Sequence, residues 1–245
     1  MKIISMSLWG NDPKYCVGAI ENAKLVNNFF SGWKLWLYCG NSVPENVIQT
    51  LLELHCNVIK MPESGNWTSM FWRFMPASDP DVEVMISRDC DSRLSIREKK
   101  AVDEWLKSNK SFHIIRDHPK HEIEILGGMW GVKYPKLANM DKLIKEYVRG
   151  DFWQVDQNFL KEVIYPFIKE DCFVHDEFFK FETKRHNFPV KRKKYEFVGE
   201  SFDENNISNS KSRNQIKMYL RKNNRSILKK IIYRIEDVLS GVKTK

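Results

Sequence analysis

No two of the five cysteines stand at CxxC spacing. Cys16, Cys39, Cys56, Cys90 and Cys172 are scattered and odd in number. That argues against a disulfide framework or a cysteine zinc site and fits reduced thiols in a cytosol-like compartment. No apolar run reaches 18 residues, so nothing in the sequence reads as a membrane span. The opening MKIISMSLWGNDPKY turns polar too soon for a secretory segment and has no cleavage-like site. Asn66-Trp67-Thr68 fits a glycosylation sequon, but without a signal peptide it reads as a chance match. A single glycine, Gly10, follows the first apolar run, where a glycine-rich phosphate loop needs several. No internal repeat is present.

What the chain has is ample core material. Of its 245 residues, 42% are hydrophobic and 13% aromatic, enough for one large domain with an appendage. The formal net charge is +8, a balance that favours polyanionic partners: nucleotides, nucleic acid or an anionic membrane.

The hydrophobic period alternates through the first half. Lys2–Leu8, Lys34–Gly40, Asn57–Met61, Val82–Asp89 and Ser111–Asp117 read as strands. Lys14–Phe30, Pro44–His55 and Ser95–Ser108 read as helices, the last with Ser95 as N-cap and Glu98 completing a capping box. SMFWRFMPA reads as a further helix. Such alternation predicts an α/β fold, a mostly parallel sheet with helices on both faces and its ligand at the carboxyl ends of the strands. The second half is less regular. Glu124–Lys133 reads as a strand interrupted by glycines, CFVHDEF as a strand or strand end, and MDKLIKEYVR and WQVDQNFLKEVIYPFI as helices. From Ser201 the chain turns polar, then basic and helical. The expected division is a catalytic-type domain over 1–204 and a linker with a basic helix over 205–245.

Asp89 and Asp91 follow the strand in VMISRDCDSRL. In an extended segment residues two apart share a side, roughly 6–7 Å apart. Two carboxylates so placed can hold a hard divalent cation that neutralises a diphosphate, with Arg88 and Arg93 clamping the same anion. The plain alternative is an acidic turn with local ion pairs. Gly127 and Gly128 can admit a ligand against the main chain beside Trp130, or mark a bend with Trp130 in the core. Asp156, in DQNFL, can orient a hydroxyl or act as a base, or simply cap a helix. His175 can join carboxylates on manganese, or be a core histidine. Arg73, alone among aromatics, needs a carboxylate or phosphate partner. His118 and His121 have HxxH spacing but lack a third soft ligand, so Arg116, Asp117 and His118 read as positioning or loop-fixing residues. The helix SILKKIIYRIEDVL is basic and amphipathic, suited to an anionic membrane surface or to packing on protein.

The ordered set MFWRF, ISRDCDSRL, FHIIRDHPKH, ILGGMWGVK, DQNFL and VHDEF resembles the GT-A glycosyltransferases with a DxD motif. It is similar to a bacterial and viral group with RDxDSR and RDHPxH signatures. The resemblance covers roughly Lys2 to Glu204. It implies a Rossmann-like GT-A fold and a hexosyltransferase-type enzyme using Mn2+ or Mg2+ and a nucleotide-sugar donor, a UDP-sugar favoured, with a glycan or other hydroxyl acceptor. By the same resemblance Asp89 and Asp91 bind metal and donor, and His175 completes the metal site. Asp156 and Gln157 lie near donor sugar and acceptor. The Ser7–Tyr15 segment forms the base pocket, with Tyr15 as a stacking residue. Ser7, Tyr15, Arg73, Arg88, Arg93, Gly127, Gly128 and Trp130 join Asp89 and Asp91 as the expected donor-binding set. The chain is compact for such a family, which leaves its acceptor unread. A cytoplasmic protein is expected, with peripheral membrane contact through the basic helix.

Two rivals stand beside that reading. A sugar-nucleotide nucleotidyltransferase also uses an α/β sheet and a metal, but Gly10 alone is a poor phosphate loop. A basic nucleic-acid binder fits the charge, yet no nucleic-acid motif is present and no nucleic-acid partner is expected.

Overall fold

The computed structural model describes residues 1–147 and 149–223. The expected amphipathic helix at 226–239 lies outside the described residues. Seven strands form one mixed sheet: β1 (Lys2–Leu8), β2 (Trp33–Cys39), β3 (Asn57–Lys60), β4 (Val84–Ser87), β5 (Phe112–Arg116), β6 (Trp130–Lys133) and β7 (Cys172–Asp176). Their spatial order is β3-β2-β1-β4-β6-β5-β7. All neighbouring pairs are parallel except those of β6, which runs against both β4 and β5. The expected mostly parallel sheet is therefore met, with one strand reversed.

Period-2 alternation sends each strand's side chains to two cores. Ile4, Met6 and Leu8 of β1 join a cluster with α1 (Pro13–Phe29), α2 (Glu45–Glu53) and α3 (Ile96–Lys107). Ile3, with Met85, Ile114 and Trp130, faces the other cluster. That one includes a 3-10 helix (Trp67–Ser78), α4 (Met140–Glu146) and α5 (Val155–Phe159). A fully buried leucine or isoleucine in such a core contributes about 1.5–3 kcal/mol.

The helix starts follow their caps. Asp12 accepts from Lys14 N at 2.9 Å, with Pro13 at the first turn of α1. Ser95 accepts from Glu98 N at 3.2 Å, but the expected capping box is only half made. Glu98 turns away to pair with buried Arg88, because an unpaired guanidinium in the core costs more than a missing cap bond. The aromatic-rich SMFWRFMPA segment is 3-10 rather than α-helical, opened by an Asn66–Ser69 capping box. The strand expected over Glu124–Lys133 starts only at Trp130, past Gly127 and Gly128, and contains Gly131. α5 continues through a π turn into α6 (Tyr165–Ile168). Among the described residues no helix is long and apolar enough to cross a membrane.

The RDHPKH segment fixes the chain after β7. Asp117 is fully buried and accepts from Arg97, Arg192 and Val198 N, while Arg116 pairs with Asp176 at 2.6 Å. His118 Nδ1 accepts from Lys120 N, so its Nε2 donates to Ser212 O at 3.0 Å. The stretch expected as a linker is thus tied to the sheet, and residues 210–223 are helical.

Candidate active site

β1 and β4 lie side by side and end at the same sheet edge. Beyond their ends opens a cavity of about 400 Å³. Asp89 and Asp91 both line it, with Ser7, Tyr15 and Arg73 from the expected donor set.

Arg73 is the hub. Its side chain is buried, and Nη1 donates to Asp89 Oδ1 while Nη2 donates to Asp156 Oδ2 at 2.6 Å. Burial disfavours its charge, but the two carboxylates outweigh that and raise its pKa. Ser7 Oγ accepts from Arg73 N at 3.1 Å, which seats the 3-10 helix against β1. Gly127 and Gly128 pass close over the same cluster. A Cβ on Gly128 would lie 2.0 Å from Asp89 Oδ2, and one on Gly127 would lie 2.5 Å from Asp156 Oδ2. Their small size makes room for these side chains. Asp156 is itself buried, at the first turn of α5, and is not part of the cavity wall.

Asp91 is held from two sides, by α1 and by the Ser201–Phe202 segment. Its Oδ2 takes Lys14 Nζ at 2.7 Å and Ser201 Oγ at 2.9 Å, and its carbonyl accepts from Phe202 N. Burial lowers the Lys14 pKa, but hydrogen bonding and attraction to Asp91 leave it raised. From α1, buried Asn22 donates to the carbonyls of Cys90 and Ser92 and accepts from Leu94 N. Gly18 allows that approach, since a Cβ there would meet Cys90 O at 2.1 Å. Burial pushes the Cys90 thiol well above its ordinary pKa, so it stays protonated and is no nucleophile.

Other expected site residues lie elsewhere. Arg88 turns inward to Glu98 and the carbonyls of Ser87 and Trp130. Arg93 binds Asn206 and lies over the Phe202 ring. Trp130 is a core residue packed edge-on to Phe74. Gln157 is half-buried and does not line the cavity. His175 is fully buried between His113 Nε2 at 2.8 Å and Glu104 Oε2 at 3.2 Å, so its ring is not brought to Asp89 and Asp91. Among the described residues no group of three or more His, Cys, Asp or Glu is gathered to hold a metal. The two cavity carboxylates are nonetheless hard oxygen donors suited to Mg2+ or Mn2+.

The cavity wall also carries residues that the motifs did not single out. Trp9, Trp67 and Trp153 line it, with Trp67 edge-on to Trp9 at 6.5 Å. Asp12 adds a third carboxylate, whereas Arg73 on the wall and Lys14 beside it are already engaged by carboxylates.

No protein-family profile matches the chain, and no curated protein matches it. Solved structures with a similar course of chain exist. A glycosyltransferase involved in glycosylation of the major capsid of PBCV-1 is 18% identical over 72% of this chain and 82% of its own, with a TM-score of 0.49. Glucosyl-3-phosphoglycerate synthase from Mycobacterium tuberculosis, in complex with phosphoglyceric acid, is 9% identical over 76% of this chain and 73% of its own, TM-score 0.47. The galactosyltransferase LgtC, solved with donor and acceptor sugar analogs, is 11% identical over 71% of this chain and 73% of its own, TM-score 0.45.

Proposed function

We propose that this chain is a metal-dependent glycosyltransferase. It moves a sugar from a nucleotide-diphosphate donor, a UDP-sugar favoured, to a glycan or other hydroxyl acceptor. One observation carries the reading: Asp89 and Asp91 share a cavity with Ser7 and Tyr15 at the carboxyl ends of β1 and β4, where α/β sheets bind ligands.

Charge on the cavity wall supports the metal. Of the three wall carboxylates Asp89 is paired with Arg73 and Asp91 with Lys14, so neither of these cations is free for a diphosphate, and a divalent cation held by the carboxylates would supply the missing positive charge. The N-terminus of α1, an anion site in many α/β folds, is capped by its own Asp12. Asp89 and Asp91 are the residues to hold Mn2+ or Mg2+, which when bound supplies Lewis-acid stabilisation of the leaving diphosphate. Arg73 orients Asp89, Asp156 orients Arg73, and Asn22 fixes the backbone that carries Asp91. Tyr15 and Trp9 are placed to contact the base.

The test is thermal unfolding with UDP-, GDP-, CMP- and dTDP-sugars, each with and without Mn2+. Stabilisation by one nucleotide family, lost on chelation of the metal and lost in Asp91→Asn, is expected; saturation at a hundred times Kd corresponds to about 2.7 kcal/mol. No response in the folded wild-type protein, or an unchanged response in Asp91→Asn, sinks the reading.

A further inference from the structure

Trp153 is 65% exposed, yet it lines the cavity that holds Asp89 and Asp91. A large ring left in water forgoes the burial that stabilises most tryptophans. The loop that presents it is fixed. Thr68 N donates to Asp151 Oδ1 at 3.2 Å, Val155 N donates to Phe152 O at 3.2 Å, and Gln154 adopts a left-handed conformation with φ 68°. α5 begins directly afterwards and carries Asp156, the partner of Arg73. The exposed Trp153 therefore belongs to the cavity wall, on the segment that leads to the Arg73–Asp156 pair.

We propose that Trp153 is the platform for a neutral pyranose ring of the acceptor glycan, which rests on the glycosyltransferase reading above. A pyranose has an apolar C–H face that fits an indole and a rim of hydroxyls that remain hydrated or reach polar groups. Wall charge selects against the alternative, a small phosphorylated or carboxylated acceptor. Such an anion needs a free guanidinium, ammonium or helix N-terminus. The wall offers Asp12, Asp89 and Asp91, while Arg73 is already bound to two carboxylates and Lys14, beside the wall, is already bound to Asp91. The donor's own diphosphate is the one anion accommodated, through its metal.

The experiment is ligand-observed saturation-transfer NMR with the full chain, UDP and diamagnetic Mg2+, with UDP–Mn2+ thermal unfolding run in parallel. The probes are neutral methyl pyranosides and disaccharides on one side and sugar phosphates and phosphoglycerate on the other, against wild type, Trp153→Phe and Trp153→Ala. Expected are transfer to neutral sugars in wild type, retention in Trp153→Phe, and a loss of affinity of about tenfold in Trp153→Ala. UDP–Mn2+ stabilisation of all three is measured alongside, as the control for donor binding. Equal sugar signals in wild type and Trp153→Ala, no signal from any neutral sugar, or preference for the phosphorylated probes each overturns the proposal. If UDP–Mn2+ stabilisation persists in those cases, the glycosyltransferase reading stands. If no nucleotide stabilises the wild type with metal, both fall.

Discussion

Arg73 Nη2 lies 2.6 Å from Asp156 Oδ2, with side-chain exposures of 3% and 5%. The same guanidinium holds Asp89, whose side chain is 40% exposed and faces the cavity. A buried carboxylate thus sets the orientation of a cavity carboxylate through one planar fork. Removing the fork leaves Asp156 buried without its cation. Arg73→Met should lower the unfolding free energy by about 3–5 kcal/mol, and the double variant Arg73→Met/Asp156→Leu should recover much of that loss. Urea unfolding of the two single variants and the double variant reads this directly. Additive losses in the double variant would show that the two side chains do not act as a pair.

Gly128 makes a separate demand on the same carboxylate. Its φ is not in the left-handed region, so space and not backbone freedom fixes the residue. In Gly128→Ala the new methyl displaces Asp89 toward the open cavity and loosens its pair with Arg73, which keeps Asp156 as its buried partner. Stability should change by about 1 kcal/mol or less, while metal-dependent nucleotide binding weakens on the order of tenfold to a hundredfold. Gly127→Ala should behave differently, because its Cβ meets buried Arg73 and Asp156, and should destabilise the fold more. Thermal melts and nucleotide titrations of both variants check that order.

The alternation of strand and helix was legible because most strands bury both faces, the edge strand β3 excepted, and each helix one. The reversal of β6 was not, since strand direction within a sheet leaves no trace in the hydrophobic period. Asp89 and Asp91 could be found because a run of buried residues ends abruptly in polar ones. Arg73 could be flagged as needing a partner, but not the two partners it takes. These lie 16 and 83 residues away in the chain.

Asn22 shows the limit more sharply. In sequence it is one polar residue in an amphipathic helix. In the fold it is fully buried and makes three hydrogen bonds to the backbone that carries Asp91. Trp67 and Trp153 were hidden for the opposite reason. An aromatic residue near a helix start reads as core, and only the fold shows that these two are left exposed on a cavity wall. His175 had the residue type of a metal ligand but is engaged with His113 and Glu104.

The buried His113–His175 pair predicts how stability responds to acid. Trp105 stacks on His113, and its Nδ1 has no partner among the described residues. Burial first, then the charges of His175, Arg88 and His186, push the His113 pKa well down. Burial pushes His175 down to about 4, against the opposing pull of Glu104 and with His186 and Arg97 adding to the fall. Both imidazoles are neutral in the fold while the unfolded chain takes up their protons near pH 6.5. The unfolded state therefore binds more protons below that pH, and stability falls as pH falls. The expected slope is about 1.4 kcal/mol per pH unit for each histidine between pH 6.5 and the folded pKa. His118 and His121 shift in the same direction, so the pair must be isolated by substitution. Urea unfolding at a series of pH values should give a shallower acid slope for His113→Gln than for wild type. Equal slopes would mean that the pair takes up protons as readily in the fold as in the unfolded chain.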